Sequence, residues 1–478
     1  MDEFLMFILP EIIVAATAFT LLITDLFISE KHKSFLAPLA LIGILAGLIS
    51  LILMLPDSGE TLGGRFVVNP VATWLKIFFL IGGAFTIAMV WSLKKHEQIS
   101  AGGEFFTILI FTQVGMMFLI SARELITLYI SLELSTIPLF ALAAWKRGDQ
   151  QSGEAGLKYL VFGALASALV LYGLGLLYGL TGHFELGLIR ELLTASPALW
   201  LAVALIIAGI GFKLTLTPFH MWAADVYQGA PTPVTAYLSV ASKSAGLAFM
   251  FQLFLGILGD QLASWQWLIA LLATASMTLG NLVAIVQHNI KRFMAFSSIS
   301  QAGYLILGFI GPFAEGVPAM LFYLLVFAFT NMAVFGVIIF YSDATGLTKI
   351  EEYNGLSQRN PLIALTMALA LFGLAGIPPL AGFVGKFFLF SIAAKAGMHW
   401  LVAVAAINST VSLYYYLRIV RAMYIEPPDE DASQLPISPV MVSTLLIATL
   451  GVVLLGVIPF FYNIIHNGTA NWMTVFGK

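Results

Sequence analysis

The sequence predicts an all-α polytopic membrane protein of about 14 transmembrane helices, with two inverted five-helix repeats (spans 4–8 and 9–13) and broken helices 7 and 12. Three observations lead there. Hydrophobic residues make up 60% of the 478 and charged residues 10%, with a mean hydropathy of +0.96. A soluble domain carries about 25% charged residues. The apolar residues fall in runs of about 20, the length of helix that crosses the hydrocarbon core. The polar loops between the runs are short and carry their lysines and arginines unevenly on the two sides.

The chain reads as one membrane domain, 1–478, without a soluble module. Within it lie N-terminal helices (1–103), a first repeat (104–256), a second repeat (264–424) and a last helix (438–460). The bilayer is the partner that composition implies, and nothing points to nucleic acid. The net charge of −3 says little, because in a membrane the position of charge matters more than its sum. The absence of cysteine excludes disulfides, Cys-ligated iron–sulfur clusters and thiolate chemistry in this chain. The opening MDEFLMFILPEIIVAA has acidic residues where a signal peptide has basic ones, and no small-residue cleavage site follows. The first run is therefore expected to be a permanent span.

In order, the runs are 4–28, 34–55, 71–92, 104–121, 123–144, 155–179, 198–217, 231–256, 264–286, 293–311, 318–341, 360–377, 399–424 and 438–460. The seventh is expected to resume after a break, through His220–Tyr227. The twelfth breaks at GLAGIPPLAGFVGK and resumes through Phe387–Ala396. The hydrophilic segments Thr181–Ser196, Ser342–Asn360 and Glu426–Pro439 read as loops. Eleven loop lysines and arginines, among them Lys33, Lys94, Lys95, Lys146, Lys291, Arg292, Lys349 and Arg359, fall on the side reached after the first helix. Five fall on the other, including Arg65, Lys395 and Lys478. That bias puts the first side in the cytoplasm and both termini in the periplasm. The two broken spans are five apart, an odd number, so the two five-helix units have opposite topology, as in many transporters.

The stretch GIGFKLTLTPFHMWAADVYQGAPTPVTAYLSVASKSAG, Gly209 to Gly246, organises the rest. Lys213 and Lys243 sit in otherwise membrane-like sequence, with Pro218, His220, Asp225, Gly229, Pro231 and Pro233 between them. A lysine deep in a bilayer is costly and reads as functional. Broken backbone at that depth is tolerated only where it is buried in protein or lines a wet cavity. Lys386 lies in the other broken span, and Glu133 near the middle of the fifth. Glu104 opens the fourth span, while Glu154 and Lys158 open the sixth, one helical turn apart. His220 follows Pro218 in the seventh-span break, positioned either to relay protons between Lys213 and Lys243 or to cap a helix end. A Glu–Lys pair in a wet cavity is a proton switch, since moving or neutralising the carboxylate releases the lysine's proton. The competing reading is buried ion pairs that only fix packing, most natural for the interfacial Glu154–Lys158 pair. The pair Lys291–Arg292 reads as a topology anchor. No His/Asp/Glu spacing matches a metal site, and no phosphate loop, dinucleotide fingerprint or nucleophile elbow is present in the sequence.

The seventh-to-eighth-span stretch, the turn NIKRFMAFSSISQAGY and the segment GLAGIPPLAGFVGKFFLF resemble the antiporter-like subunits of proton-pumping NADH:quinone oxidoreductase, respiratory complex I. Those subunits are similar to Mrp-type Na+/H+ antiporter and membrane-hydrogenase subunits. The resemblance covers about residues 4–460. It favours the N branch, since Lys386 stands where the M branch has glutamate and the chain is expected to end soon after the fourteenth span. The family's fifth-helix glutamate falls on Glu133, and its seventh-, eighth- and twelfth-helix lysines on Lys213, Lys243 and Lys386. The resemblance implies a proton-translocating membrane-arm subunit with no cofactor of its own, within a complex that uses quinone and NADH or another donor. Expected neighbours are the antiporter-like M subunit and small subunits such as K, J and A. The alternatives are an Mrp-type Na+/H+ antiporter subunit and a membrane scaffold with inert ion pairs.

Overall fold

Capping residues and prolines cut the apolar sequence into helices. The computed structural model describes residues 2–55, 57–93, 102–259, 265–428 and 433–469. Lys94, Lys95 and Lys478, which entered the charge bias above, lie outside the described residues. The order begins α1 (Asp2–Phe27), α2 (Leu36–Leu53), a hairpin of β1 (Gly59–Thr61) and β2 (Phe66–Val68), α3 (Pro70–Ser92) and α4 (Gly103–Ser121). Next come α5 (Leu125–Leu134), α6 (Ile137–Ala143), α7 (Gln150–Thr181), α8 (Leu186–Leu192), α9 (Pro197–Leu214), α10 (Ala223–Gly229), α11 (Thr232–Tyr237) and α12 (Lys243–Phe251). The remainder is α13 (Gln266–Ile285), α14 (Ile290–Leu305), α15 (Phe313–Thr345), α16 (Leu356–Arg359), α17 (Pro361–Ala375), α18 (Ala381–Lys395), α19 (His399–Tyr424), α20 (Pro439–Val457) and α21 (Phe460–Thr469). Asn69, Ser196 and Ser438 each cap a helix whose first residue is proline, and Asp149 and Asn289 cap α7 and α14. Such side chains accept from the first free N–H groups, while proline at the first position loses nothing there.

Among the described residues, 12 helical segments are long and apolar enough to cross a membrane, so this is a multi-pass membrane protein. Two of the expected runs fall short of that length. The tenth forms α14, of 16 residues, and the twelfth α17, of 15. The expected continuations shift too: the seventh resumes at Ala223 and the twelfth at Ala381. The fifth run was expected as one helix and is two. Pro138 has no N–H for the Leu134 carbonyl, and the Ser135 and Thr136 hydroxyls both donate back to the Leu132 carbonyl at 2.7 Å. The expected loop Thr181–Ser196 holds the short α8.

The core is a pair of buried helices. Segments α11 and α12 run as one helix, Thr232–Leu258, through two π-helical turns, with every residue buried. Helix α15 lies nearly all inside as well, whereas α1, α2, α7, α19 and α20 turn apolar faces outward. Small residues allow close approach: a Cβ at Gly209 would sit 2.6 Å from the Ala166 carbonyl oxygen where α9 crosses α7.

Two local arrangements recur. Leu125 and Leu186 donate to the carbonyls of Phe184 and Arg123, joining the start of α5 to the start of α8. Ile290 and Ile350 likewise donate to Thr348 and His288, joining the start of α14 to the chain after α15. Each first half of a broken helix also ends in the same turn. Thr215 (φ +60°) and Gly376 (φ +87°) are left-handed, and the next residues, Leu216 and Ile377, donate to Gly211 and Phe372.

Outside these units, Lys76 of α3 pairs with Glu11 of α1 at 2.8 Å, both side chains about fully buried. Lys76 also stands 4.7 Å above the Phe66 ring. Removing one member of a buried pair strands the other, at a cost of about 3–5 kcal/mol. Lys76→Met should therefore lower the thermal stability of the detergent-solubilised protein strongly. The double variant Glu11→Gln/Lys76→Met should recover most of it. A single variant as stable as the parent in a thermal-shift assay counts against the pair as a clamp.

Candidate functional site

Lys213, Lys243 and Lys386 are all buried, at 4%, 1% and 3% exposure. The ammonium of Lys213, in the last turn of α9, donates to Ser135 Oγ at 2.6 Å and to Thr136 Oγ1. Those hydroxyls stand at the α5–α6 break. The expected pairing with Glu133 takes a different form. Among the described residues no ion pair joins Glu133 to Lys213, and the carboxylate acts on the ammonium only through space. Glu133 is half-buried, with Oε1 inside and unbonded. On the same rim Ile126, Ile130, Leu134 and Ile137 are exposed.

Lys243 sits where the first π-helical turn meets α12 and bonds to the Leu214 carbonyl (3.1 Å), Thr215 Oγ1 and the Ser298 carbonyl (3.1 Å). Lys386 donates to the carbonyls of Leu374 (2.8 Å) and Ala375 (3.2 Å) and to Ser409 Oγ (3.0 Å), with the Tyr304 ring 4.5 Å away. Lys213 and Lys386 do fall in the two broken spans, but on opposite sides of the breaks. The matching pair is Lys243 and Lys386. Each caps the carbonyl end of a broken half-helix, α9 or α17, where the helix dipole favours a cation.

Between them runs α14. Gln301 Nε2 donates to the Leu374 carbonyl (3.1 Å), which Lys386 also uses, and to Tyr416 Oη (3.2 Å). Tyr323 donates to Gln301 Oε1, and Ser297 Oγ lies 2.5 Å from Tyr416 Oη. Lys213 and Lys243 thus meet at the end of α9, while α14 supplies the Ser298 carbonyl to Lys243 and the Gln301 amide beside Lys386. The SSISQ run inside an apolar helix was the signal for Ser297, Ser298 and Gln301.

The other expected residues lie elsewhere. Glu104 is exposed on the first turn of α4. Glu154 and Lys158 pair at 2.6 Å, but the carboxylate is mostly exposed, so this is a rim pair rather than part of the buried series. Lys158 continues to Asp225 (2.5 Å), and Asp225 to Arg292 (2.6 Å). Arg292 is therefore tied inward rather than serving only as an anchor, and Lys291 donates to the Ala230 carbonyl at 3.0 Å. His220 bonds to neither lysine, and its Nδ1 is buried without a partner. Beside α10 open two adjoining cavities of about 170 and 510 Å³, which share Gln151, Gln228 and Gly229. At the loop surface, His288 lies 2.8 Å from Glu351. Partial burial pushes that carboxyl up, but the histidine hydrogen bond and the backbone hold it below the usual range. Among the described residues no three His, Asp or Glu side chains gather as a metal site.

The transmembrane family described as NADH:quinone oxidoreductase/Mrp antiporter matches residues 122–412, more than half of the chain. The chain belongs to this family. A relative in Moorella thermoacetica, NADH-quinone oxidoreductase subunit N, is 43% identical over 432 residues, 90% of either chain. A chain of respiratory complex I from Thermus thermophilus is 32% identical with a TM-score of 0.81, covering 95% of this chain and 98% of that one. A chain of the Mrp complex from Dietzia sp. DQ12-45-1b superposes with a TM-score of 0.86 over 100% of this chain and 99% of its own, at 18% identity, which is a likeness of fold.

Lys395, at the far end of α18, is exposed and pairs with exposed Glu315. Replacing it should matter little, since exposed pairs contribute about 0–1 kcal/mol. Lys386→Ala leaves the α17 carbonyls uncapped. Proton pumping by the reconstituted assembly should fall severalfold for Lys386→Ala and stay near normal for Lys395→Ala. Equal, small effects of both would remove Lys386 from the pathway.

Proposed function

We propose that this chain is a proton-translocating membrane-arm subunit of an NADH:quinone oxidoreductase of the complex I type, with no redox centre of its own. The observation that carries this reading is three buried lysines held by hydroxyl and carbonyl oxygens at the helix breaks. A buried ammonium without a contacting carboxylate is expensive and is retained where its charge does work. Protons pass along Lys213, Lys243 and Lys386, with Glu133 setting the charge felt by Lys213. His220, Glu104, Glu154 and Lys158 serve at the margins. Quinone and NADH, or another donor, are used elsewhere in the complex, whose redox energy reaches this chain through neighbouring subunits. Those neighbours are the antiporter-like M subunit and small subunits such as K, J and A, within the lipid of a bacterial inner membrane. The rival is a subunit of an Mrp-type Na+/H+ antiporter. The 43% identity to an NADH-quinone oxidoreductase subunit, against 18% to the Mrp chain, favours the first.

The architecture we infer has 14 spans in one membrane domain, with α14 and the α17–α18 pair as short or broken crossings and both termini periplasmic. The paired backbone bridges and the twin left-handed turns support two inverted repeats. Reporter fusions after Arg359 should read as cytoplasmic and C-terminal fusions as periplasmic. A cytoplasmic C-terminus makes the span count odd and removes the repeat.

The proton-carrier role is tested at Lys213. Arginine keeps the positive charge but does not deprotonate, its pKa lying above about 12. If Lys213 gives up a proton in each cycle, Lys213→Arg should pump about as poorly as Lys213→Ala, in an assembly that stays intact on native gels. Pumping by reconstituted Lys213→Arg complex near the parental rate reduces Lys213 to a fixed charge.

A further inference from the structure

Helix α10 has only seven residues, yet it is fastened to three other helices. At its first end the Trp222 indole, buried, donates through Nε1 to the Phe212 carbonyl at 3.1 Å, in the last turn of α9. The Trp222 ring also stacks on Tyr159 of α7, with centroids 4.6 Å apart. In the middle of α10, the two oxygens of Asp225 go to cations on different helices. Oδ2 accepts from Lys158 of α7 at 2.5 Å, and Oδ1 from Arg292 of α14 at 2.6 Å. Arg292 donates as well to Gln228 Oε1 at 3.1 Å. At the far end, a Cβ on Gly229 would stand 2.3 Å from the Gln151 carbonyl oxygen of α7. The Ala230 carbonyl just beyond accepts from Lys291 of α14. Two of the elements that α10 joins, the tip of α9 and α14, are the ones that hold Lys243. Leu214 and Thr215 supply oxygens from the first, and Ser298 its carbonyl from the second. The Asp225 side chain is 35% exposed, and ion pairs in water add little to stability. Stability alone is thus a weak reason for one carboxylate to gather cations from two helices.

We propose that Asp225 is a positioning residue for Lys243, acting through α10 as a strut between the tip of α9 and α14. The Lys243 ammonium takes carbonyls from both elements, so their spacing sets whether the two can reach it at once. Hydrogen bonds weaken steeply as their geometry departs from the ideal. The ties at Trp222 and Asp225 hold that spacing from outside, touching neither the ammonium nor the oxygens around it. Asp225 neither takes nor gives a proton in this role. Its charge matters because it binds two cations at once. An asparagine offers one oxygen where the carboxylate offers two, and turns an N–H donor toward the second cation.

This inference rests on the proton-translocating reading, and its test separates the two by following backbone exchange and pumping independently. The amides of Thr215 and Leu216, bonded to the Phe212 and Gly211 carbonyls, report the tip of α9. Those of Gly376 and Ile377, in the matching turn after α17, serve as the internal control. Complexes carrying Asp225→Asn, Asp225→Glu, Trp222→Phe or Lys243→Ala are purified and checked for assembly on native gels. Each is followed by hydrogen–deuterium exchange and reconstituted for pumping. A hydrogen bond to a charged group is worth about tenfold or more in a local opening equilibrium. Asp225→Asn should therefore speed exchange at 215–216 by about that factor, leave 376–377 unchanged and lower pumping severalfold. Asp225→Glu, which keeps both oxygens, should stay near the parent in both measurements. Combining Asp225→Asn with Trp222→Phe should lower pumping little beyond the worse single change, since a strut freed at one end is already slack. Parental exchange at 215–216 in assembled Asp225→Asn overturns the strut, even if pumping falls, because the carboxylate is then acting through its own charge. Faster exchange with parental pumping, while Lys243→Ala is inactive, overturns the link to Lys243 and leaves the translocator standing. Normal pumping in Lys243→Ala overturns the translocating reading and the positioning role with it. If Asp225→Asn fails to assemble, Arg292→Gln, at the other end of the same contact, decides by the same criteria.

Discussion

An ammonium inside a membrane protein needs oxygen atoms around it, and an unbroken helix has few to spare. Every carbonyl in a helix interior is already committed to an N–H four residues on. Carbonyls without a helical partner occur at C-terminal ends, and hydroxyls reach inward where serine and threonine face the core. That constraint accounts for the breaks in this bundle. Helix α9 stops at Leu214 and hands its last carbonyl to Lys243, and α17 stops at Ala375 and hands its last two carbonyls to Lys386. The α5–α6 break exposes Ser135 and Thr136 to Lys213. Each lysine requires an interruption in a helix other than the segment that carries it.

The three interruptions would be isolated without α14. Its inner face is hydroxyl and amide where neighbouring helices are methyl and phenyl. The Ser298 backbone carbonyl accepts from Lys243, and Gln301 donates to the same Leu374 carbonyl as Lys386. Gln301 carries no charge, so it orders the joint without competing for the proton.

Much of this was legible in the sequence, for identifiable reasons. Lysines 213, 243 and 386 stand out because burying an ammonium is costly, and the two large breaks because proline and glycine cluster there. The α5–α6 break was not legible from Pro138 alone. Pro10 and Pro318 lie inside continuous helices in this same chain. What distinguishes position 138 is the Ser135–Thr136 pair just before it, whose hydroxyls stabilise a bent backbone. The lysine ligands were hard to read because half are carbonyls, which every residue has. The Asp225–Arg292 contact spans 67 positions, and no local pattern announces it. Glu133 was expected in contact with Lys213 because the two charge types attract. The hydroxyls at the break occupy that place instead.

The capping of α9 and α17 by lysines has a mechanical consequence. A cation at the carbonyl end of a helix stabilises that end by up to about 2 kcal/mol in partly buried settings. When the lysine is neutral, that hold on the helix tip is gone. A change of about 1.4 kcal/mol shifts an equilibrium tenfold. If Lys243 and Lys386 carry protons as proposed, the tips of α9 and α17 are tethered by those protons, and each one that leaves slackens a tip. In such a bundle, occupancy and shape report the same variable.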